Sequence, residues 1–325
     1  AISERWNSEF RATFDHRHNV RAAYGAALRR DKVKSNMLFD MSDLSAENSS
    51  RVFAHFEWQM SDKLIANTGF MSESKDGGLR VGSYRMAFNY QLANNHTLRL
   101  AFNHGHRAPT LLESNQSTFV RYDENLILDG GVVSDSDIHA EKLISSELGY
   151  AGSLFNDHLH LDMRLFPEKM SDVIAERREQ YPDFDGQLNI RDNTDSVTAR
   201  GLEWQAQYRP SSQFLIHANY GFVDLTHSAF YRSTPVEEIR DLSGVNPKHL
   251  GSLLVNYLTK RELSLSAMLS HQSRIRHFSG NDDEGFTRFD VKAAKSWQLA
   301  GKDAEVALTI QTVSYTHLTL PTKRI

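Results

Sequence analysis

Arginines and aromatic residues recur together in the polar stretches of this chain. Arg121-Tyr122, Tyr181, Tyr231-Arg232 and the alternating Arg274 and Arg276 are the main examples, with Phe119, Phe184, Phe230 and Phe278 close by. A guanidinium offers charge and a fork of N–H donors, and an aromatic ring offers a stacking face. The combination suits an anionic, ring-bearing small ligand. It also matches ordinary loop composition, and both readings stay open at this point.

Other residue types point to less chemistry. Asp135, Asp137, His139 and Glu141 alternate, and their oxygens would suit calcium, but the segment lacks the glycines and fixed ligand register of a calcium loop. It reads as a solvated acidic loop, with no metal site expected. Asp282-Asp283-Glu284 reads as a charged loop tip. Fifteen histidines are scattered; His104 and His106 stand where the longest loop begins, and imidazole is a possible haem ligand. No nucleophile–base pair, phosphate loop or metalloprotease signature is present. No catalytic residue, enzyme activity or cofactor is expected. The absence of cysteine excludes a disulfide framework, zinc ribbons and thiol chemistry. A net charge of -4 over 325 residues gives no reason to expect nucleic acid.

The elements that would position these residues announce themselves as a rhythm. Tyr84, Met86, Phe88 and Tyr90 interleave with Arg85, Ala87, Asn89 and Gln91; a tight Ala93-Asn94-Asn95 turn follows; Leu98, Leu100 and Phe102 then interleave with Arg99, Ala101 and Asn103. Successive strand residues point to opposite faces, so each segment has one apolar and one polar side. The pattern recurs through about fourteen segments, and their connections are alternately short and long. This is the signature of an antiparallel transmembrane β-barrel meander, apolar toward lipid and polar toward a lumen. Mean hydropathy is −0.50, and no run approaches the roughly 18 apolar residues of a spanning helix. A barrel strand needs neither. Trp58, Tyr90, Tyr208 and Tyr257 fall near strand ends, where interfacial girdles belong. Glu57, Arg85, Arg99, Arg164, Glu203 and Arg209 fall on the lumen side. Long loops are expected at about 32–50, 105–142, 167–197, 224–246 and 273–284. A β-sandwich or propeller fits less well: neither requires short and long connections to alternate, and no blade repeat is found.

Three motifs then bear a resemblance. His106-Arg107-Ala108-Pro109-Thr110-Leu111-Leu112-Glu113 is similar to the Arg-x-Pro box, with a nearby Glu, that opens a large extracellular loop in the TonB-dependent outer-membrane receptors. Ala140-Glu141-Lys142 with Ser146-Glu147-Leu148-Gly149 is similar to that family's Pro-Glu and Glu-Leu-Gly pattern, with Ala140 in the proline position. Ala199-Arg200-Gly201-Leu202-Glu203 is similar to its Arg-Gly-hydrophobic-Glu strand start. Arg107, Pro109, Glu113, Glu141, Glu147, Arg200, Gly201 and Glu203 carry the likeness.

The resemblance implies a barrel of about 22 strands around an N-terminal plug, of which about fourteen strands would be present here. It implies an outer-membrane location in a Gram-negative bacterium. It also implies import of a scarce ligand, a ferric siderophore before haem, cobalamin or carbohydrate, with energy from TonB acting through a plug upstream of this chain. An outer-membrane barrel enzyme and a passive porin are the readings from other classes. Residues 1–312 are expected to be the partial barrel. Residues 313–325, Val-Ser-Tyr-Thr-His-Leu-Thr-Leu-Pro-Thr-Lys-Arg-Ile, resemble a translated transposon-type sequencing adapter and are expected to be non-native.

Overall fold

A computed structural model describes residues 2–16, 19–39, 44–121, 127–180, 186–229, 244–276, 282–299 and 301–312. Among the described residues eighteen strands are formed: β1 (Ile2–His16), β2 (Val20–Lys34), β3 (Leu44–Ser61), β4 (Leu64–Lys75), β5 (Arg80–Ala93), β6 (His96–Arg107), β7 (Ser117–Arg121), β8 (Ile127–Ser134), β9 (Glu141–Leu154), β10 (Leu159–Gln180), β11 (Gln187–Ser211), β12 (Phe214–Ala229), β13 (His249–Leu258), β14 (Leu263–Gln272), β15 (Ile275–Arg276), β16 (Asp282–Asp283), β17 (Phe286–Leu299) and β18 (Lys302–Gln311). A short helix, α1 (Leu111–Asn115), follows β6.

Fourteen of the strands run as one antiparallel meander, β1 through β6, β9 through β14, then β17 and β18. This is the expected architecture and strand number. The sheet is open: β1 pairs with β2 and β18 with β17.

Register places like with like. In an antiparallel sheet directly opposed residues share a face. Trp58, Ala66, Phe88, Leu100, Leu148, Leu165, Leu202 and Phe222 are successive cross-strand partners. They form one apolar belt across eight strands. A parallel row carries Tyr90, Leu98, Tyr150, Met163, Trp204 and Tyr220. Leu161 and Ile216 fall on the same face. Large apolar side chains on it, such as Phe10, Phe56, Leu100 and Leu269, stand exposed. A protein in water would have to cover such a surface; a barrel strand turns it to hydrocarbon. Trp58, Tyr90, Tyr208, Tyr257 and Trp297 ring the short-turn edge of this face, all exposed, as an interfacial girdle should. No described helix is long and apolar enough to cross a membrane.

Three expectations about loops need correction. Residues 167–197 are not a loop: β10 and β11 continue to Gln180 and from Gln187 as a paired ribbon. At 22 and 25 residues they far exceed the 9–11 that cross a bilayer. Outside hydrocarbon the ribbon has no reason to keep an apolar face, so the alternation that marks a spanning strand fades. Pro167 added to the misreading. It sits inside β10, where pairing to β9 lapses between Leu165 and Glu168, the gap a residue without an N–H tolerates. The 32–50 loop is likewise shortened by β2 and β3 to residues 35–43. The 105–142 loop contains α1, β7 and β8.

Candidate functional site

The polar face carries a row of charges built strand by strand. Arg99 on β6 donates from Nε to Glu147 on β9 at 2.7 Å. Arg164 on β10 lies 3.8 Å from the same carboxylate and 2.6 Å from Glu203 on β11. Gly149 is the cross-strand partner of both Arg99 and Arg164, and its missing side chain leaves room for the Arg99 stem, whose Nε would stand 3.3 Å from an added Cβ. Arg21 and Glu57 pair at 3.5 Å on the same face. These charges neutralise one another along the wall, which keeps them cheap beside a membrane.

At the long-connection rim the first motif becomes a clamp. Arg107, the last residue of β6, donates from both terminal nitrogens to Glu113 at 2.8 and 2.9 Å and from Nε to Glu141 at 2.5 Å. Glu113 and Thr110 form a capping box at the start of α1, with the Thr110 N–H on the carboxylate at 2.8 Å and the Glu113 N–H on the hydroxyl at 3.2 Å. The buried Glu141 also accepts the Ile174 N–H at 2.9 Å. Lys75, buried at the end of β4, donates to the Pro109 carbonyl at 2.5 Å and to Glu47 at 2.7 Å. Burial alone would raise the Glu113 carboxyl; Arg107 and the Thr110 donors outweigh it and hold it at about 2.

The other motif residues divide between the faces. Gly201 lies under the Phe166 ring of its partner strand, where a Cβ would meet ring carbon Cζ at 2.3 Å and the Phe222 carbonyl at 2.8 Å. Arg164 stacks on that ring at 5.1 Å. Arg200 opposes Asp224 on the apolar side, and Asp224 pairs with Lys248 at 2.6 Å. These charges mark the upper end of the apolar belt.

Above the belt the β10–β11 ribbon gathers the connections. β8 joins β11 in parallel through Val132, Val133 and Ser134. Leu188 is wholly buried and fills the space over Gly130. Arg191 bonds Gln116 at 2.6 Å and Glu176 at 2.7 Å. Asn193 takes the His139 N–H at 2.8 Å. Asp195 and His227 form a buried pair at 2.9 Å. Asp172, at φ 57° in a bulge of β10, is held by Lys142 at 2.8 Å, which lowers its carboxyl pKa.

Of the proposed ligand contacts, Tyr122, Tyr181, Tyr231 and Arg232 lie outside the described residues, as does the Arg121 side chain. Arg274 and Arg276 are exposed and line one cleft with Lys248 and His249. His104 and His106 fall on the apolar face, packed edge to face at 4.6 Å beside Tyr84, away from the charged wall. Sequence reasoning passed over Lys75, Arg191 and the Asp195–His227 pair. The Thr110-x-x-Glu113 spacing is a capping-box signal that was available. Nothing local marks the other three, whose partners are remote in sequence.

Residues 3–313 match the family described as TonB dependent receptor-like, beta-barrel. The chain belongs to that family. Among solved structures it is similar to the FrpB iron transporter from Neisseria meningitidis, F3-3 variant, with TM-score 0.67 and 12% identity over 94% of this chain and 50% of that one. It is also similar to a mutant ferric enterobactin receptor (PfeA) from Pseudomonas aeruginosa in complex with enterobactin, with TM-score 0.69 and 14% identity over 90% and 47%. This TonB-dependent receptor barrel spans about half the length of the structures it matches. No curated protein matches the sequence. Family membership makes the apolar face the lipid face and the charged row the lumen wall.

Proposed function

We propose that this chain is the barrel portion, residues 1–312, of an outer-membrane receptor of a Gram-negative bacterium, and that the receptor imports a ferric siderophore with energy delivered through a plug and TonB. The observation that carries this reading is the ordering of the meander. Short turns join the strands at one rim and the long connections join them at the other, where the β6–β9 connection pairs through β8 with the β10–β11 ribbon. Only the long side reaches beyond the bilayer far enough to build a binding surface. The arginine and aromatic residues named as ligand contacts fall in these long connections in the sequence. A passive pore would not need that superstructure, and enzyme chemistry is foreign to this family of receptors.

The test is labelled-iron uptake by a receptor-deficient strain carrying the complete gene. Alanine at Arg121, Tyr122, Tyr231 and Arg232 is expected to weaken uptake and to leave assembly intact. Deleting TonB should abolish uptake. Unchanged uptake in the fourfold variant, or uptake without TonB, overturns the reading. Residues 313–325 are proposed to be adapter-derived. Recovery of the same residues from an independently sequenced copy of the gene would refute that.

A further inference from the structure

We propose that the outward face of β2 above the apolar belt, carried by Arg30, Lys32 and Lys34, binds the headgroup of a multiply phosphorylated glycolipid in the leaflet on the long-connection side. This rests on the outer-membrane reading above, which makes that leaflet the external one, and adds a membrane lipid to what the barrel binds.

The strand changes character at one point. From the short turn upward its outward positions are Val20, Ala22, Tyr24, Ala26 and Leu28, all uncharged. Val20 to Leu28 is nine residues, a length that crosses hydrocarbon. The next three outward positions are Arg30, Lys32 and Lys34. Side chains two apart on a strand share a face, so all three cations stand on the lipid side, just where hydrocarbon ends. Trp6 is the cross-strand partner of Arg30 and is exposed, the place of an interfacial aromatic.

The inward face of the same strand shows what these cations lack. Arg29 pairs with Asp31 at 3.0 Å, and Asp31 also takes Arg5 at 2.6 Å. Outward, none of Arg30, Lys32 and Lys34 has an ion pair or a side-chain hydrogen bond among the described residues. Glu4 stands opposite Lys32 without pairing to it. Asp76 is taken up by Asn48, the β3 partner of Arg30, accepting its N–H and its side-chain amide at 2.8 Å each. With both acids counted the strip stays net positive. Basic residues at a membrane surface draw anionic headgroups, and a phosphate can meet a guanidinium in two parallel bonds. Lys34 lies about 13 Å beyond Arg30 along the strand. A headgroup with one phosphate reaches one of these heights; phosphates spaced over linked sugars reach them all.

The experiment uses the receptor produced from its complete gene and purified from membrane fractions in mild detergent. It is titrated with bisphosphorylated lipid A, with the same lipid stripped of its phosphates, and with phosphatidylglycerol, and bound lipid is counted by native mass spectrometry. The variants are Arg30→Gln with Lys32→Gln and Lys34→Gln, the charge-keeping Arg30→Lys, and Lys260→Gln with Arg261→Gln at the opposite rim as a control. Heat-modifiable mobility verifies assembly in each. The expected result is preference for the phosphorylated lipid A, an affinity that falls with added salt, and weakening of about fivefold per cation removed. Arg30→Lys and the opposite-rim pair should bind as the wild type does. Equal binding of the stripped lipid or of phosphatidylglycerol by the wild-type receptor overturns the inference, and this comparison decides even if the triple variant does not assemble. Wild-type affinity in an assembled triple variant overturns it as well. In either case a receptor that fractionates with the outer membrane leaves the outer-membrane reading standing; a receptor absent from that fraction overturns both.

Discussion

Arg107 holds Glu113 through both of its terminal nitrogens, at 2.8 and 2.9 Å, while its Nε reaches Glu141 at 2.5 Å. One side chain thereby ties the end of β6, the first turn of α1 and the start of β9. Glu141 passes the connection to β10 through the Ile174 N–H. The residues that mark the family are thus a joint between the membrane wall and the superstructure above it.

Arg107→Ala should loosen that joint. It strands the buried Glu141 carboxylate and takes two bonds from Glu113, a loss of about 1–3 kcal/mol felt at the rim and not in the spanning strands. Hydrogen exchange should show faster opening of α1, β7 and β8, with the amides of Leu100 and Leu202 unchanged. Unaltered exchange in α1 would count against the clamp.

The joint should also respond to acid. The Glu113 carboxyl is ordinarily near 4.5 and is held at about 2 here. A carboxyl depressed on folding stabilises above its unfolded value, and that contribution is lost as pH falls through the folded one. Protection of α1 should therefore be full above about pH 4.5 and decline toward pH 2. Glu113→Gln should remove this part of the pH dependence. A wild-type profile in that variant would refute the assignment.

Gly201 should resist any side chain. Gly201→Val places carbon where the Phe166 ring lies, 2.3 Å from its Cζ, and 2.8 Å from the Phe222 carbonyl. A loss of about 1–3 kcal/mol is expected from such overpacking. Adding Phe166→Ala should restore part of it, since the ring can be removed and the carbonyl cannot. Denaturant midpoints of the four proteins in a double-mutant cycle give the coupling.

The two faces should differ in their tolerance of charge. Met163→Arg, on the apolar face beside Trp204, should cost about 2–4 kcal/mol if it lies near mid-bilayer. Gln205→Arg, opposite Asp162 on the other face, should cost under about 1 kcal/mol. The folded fraction on heat-modifiable gels measures both. Equal losses would mean that the faces have been exchanged.

The strand rhythm was legible because lipid imposes it. Every residue from Tyr84 to Tyr90 must choose hydrocarbon or lumen, so the alternation is written into the chain, and with it the fourteen strands, the short turns and the sides on which Arg99, Arg164 and Glu203 stand. The motifs were legible as a likeness, but their work was not. That Glu147 serves both Arg99 and Arg164, or that Gly201 exists for the ring of Phe166, depends on register, and register here joins residues up to 48 positions apart.

Above the membrane the constraint disappears. β10 and β11 run on as a polar ribbon through residues that read as loop, because paired backbone in water needs no greasy side. Lys75 finds the Pro109 carbonyl, Arg191 finds Gln116, and His249 meets Ser273, through connections whose lengths leave many partners open. The sequence by itself determined which face of each strand meets lipid, since that choice is made residue by residue. Only the tertiary structure decided which charges meet at the rim, since that depends on how several connections pack at once.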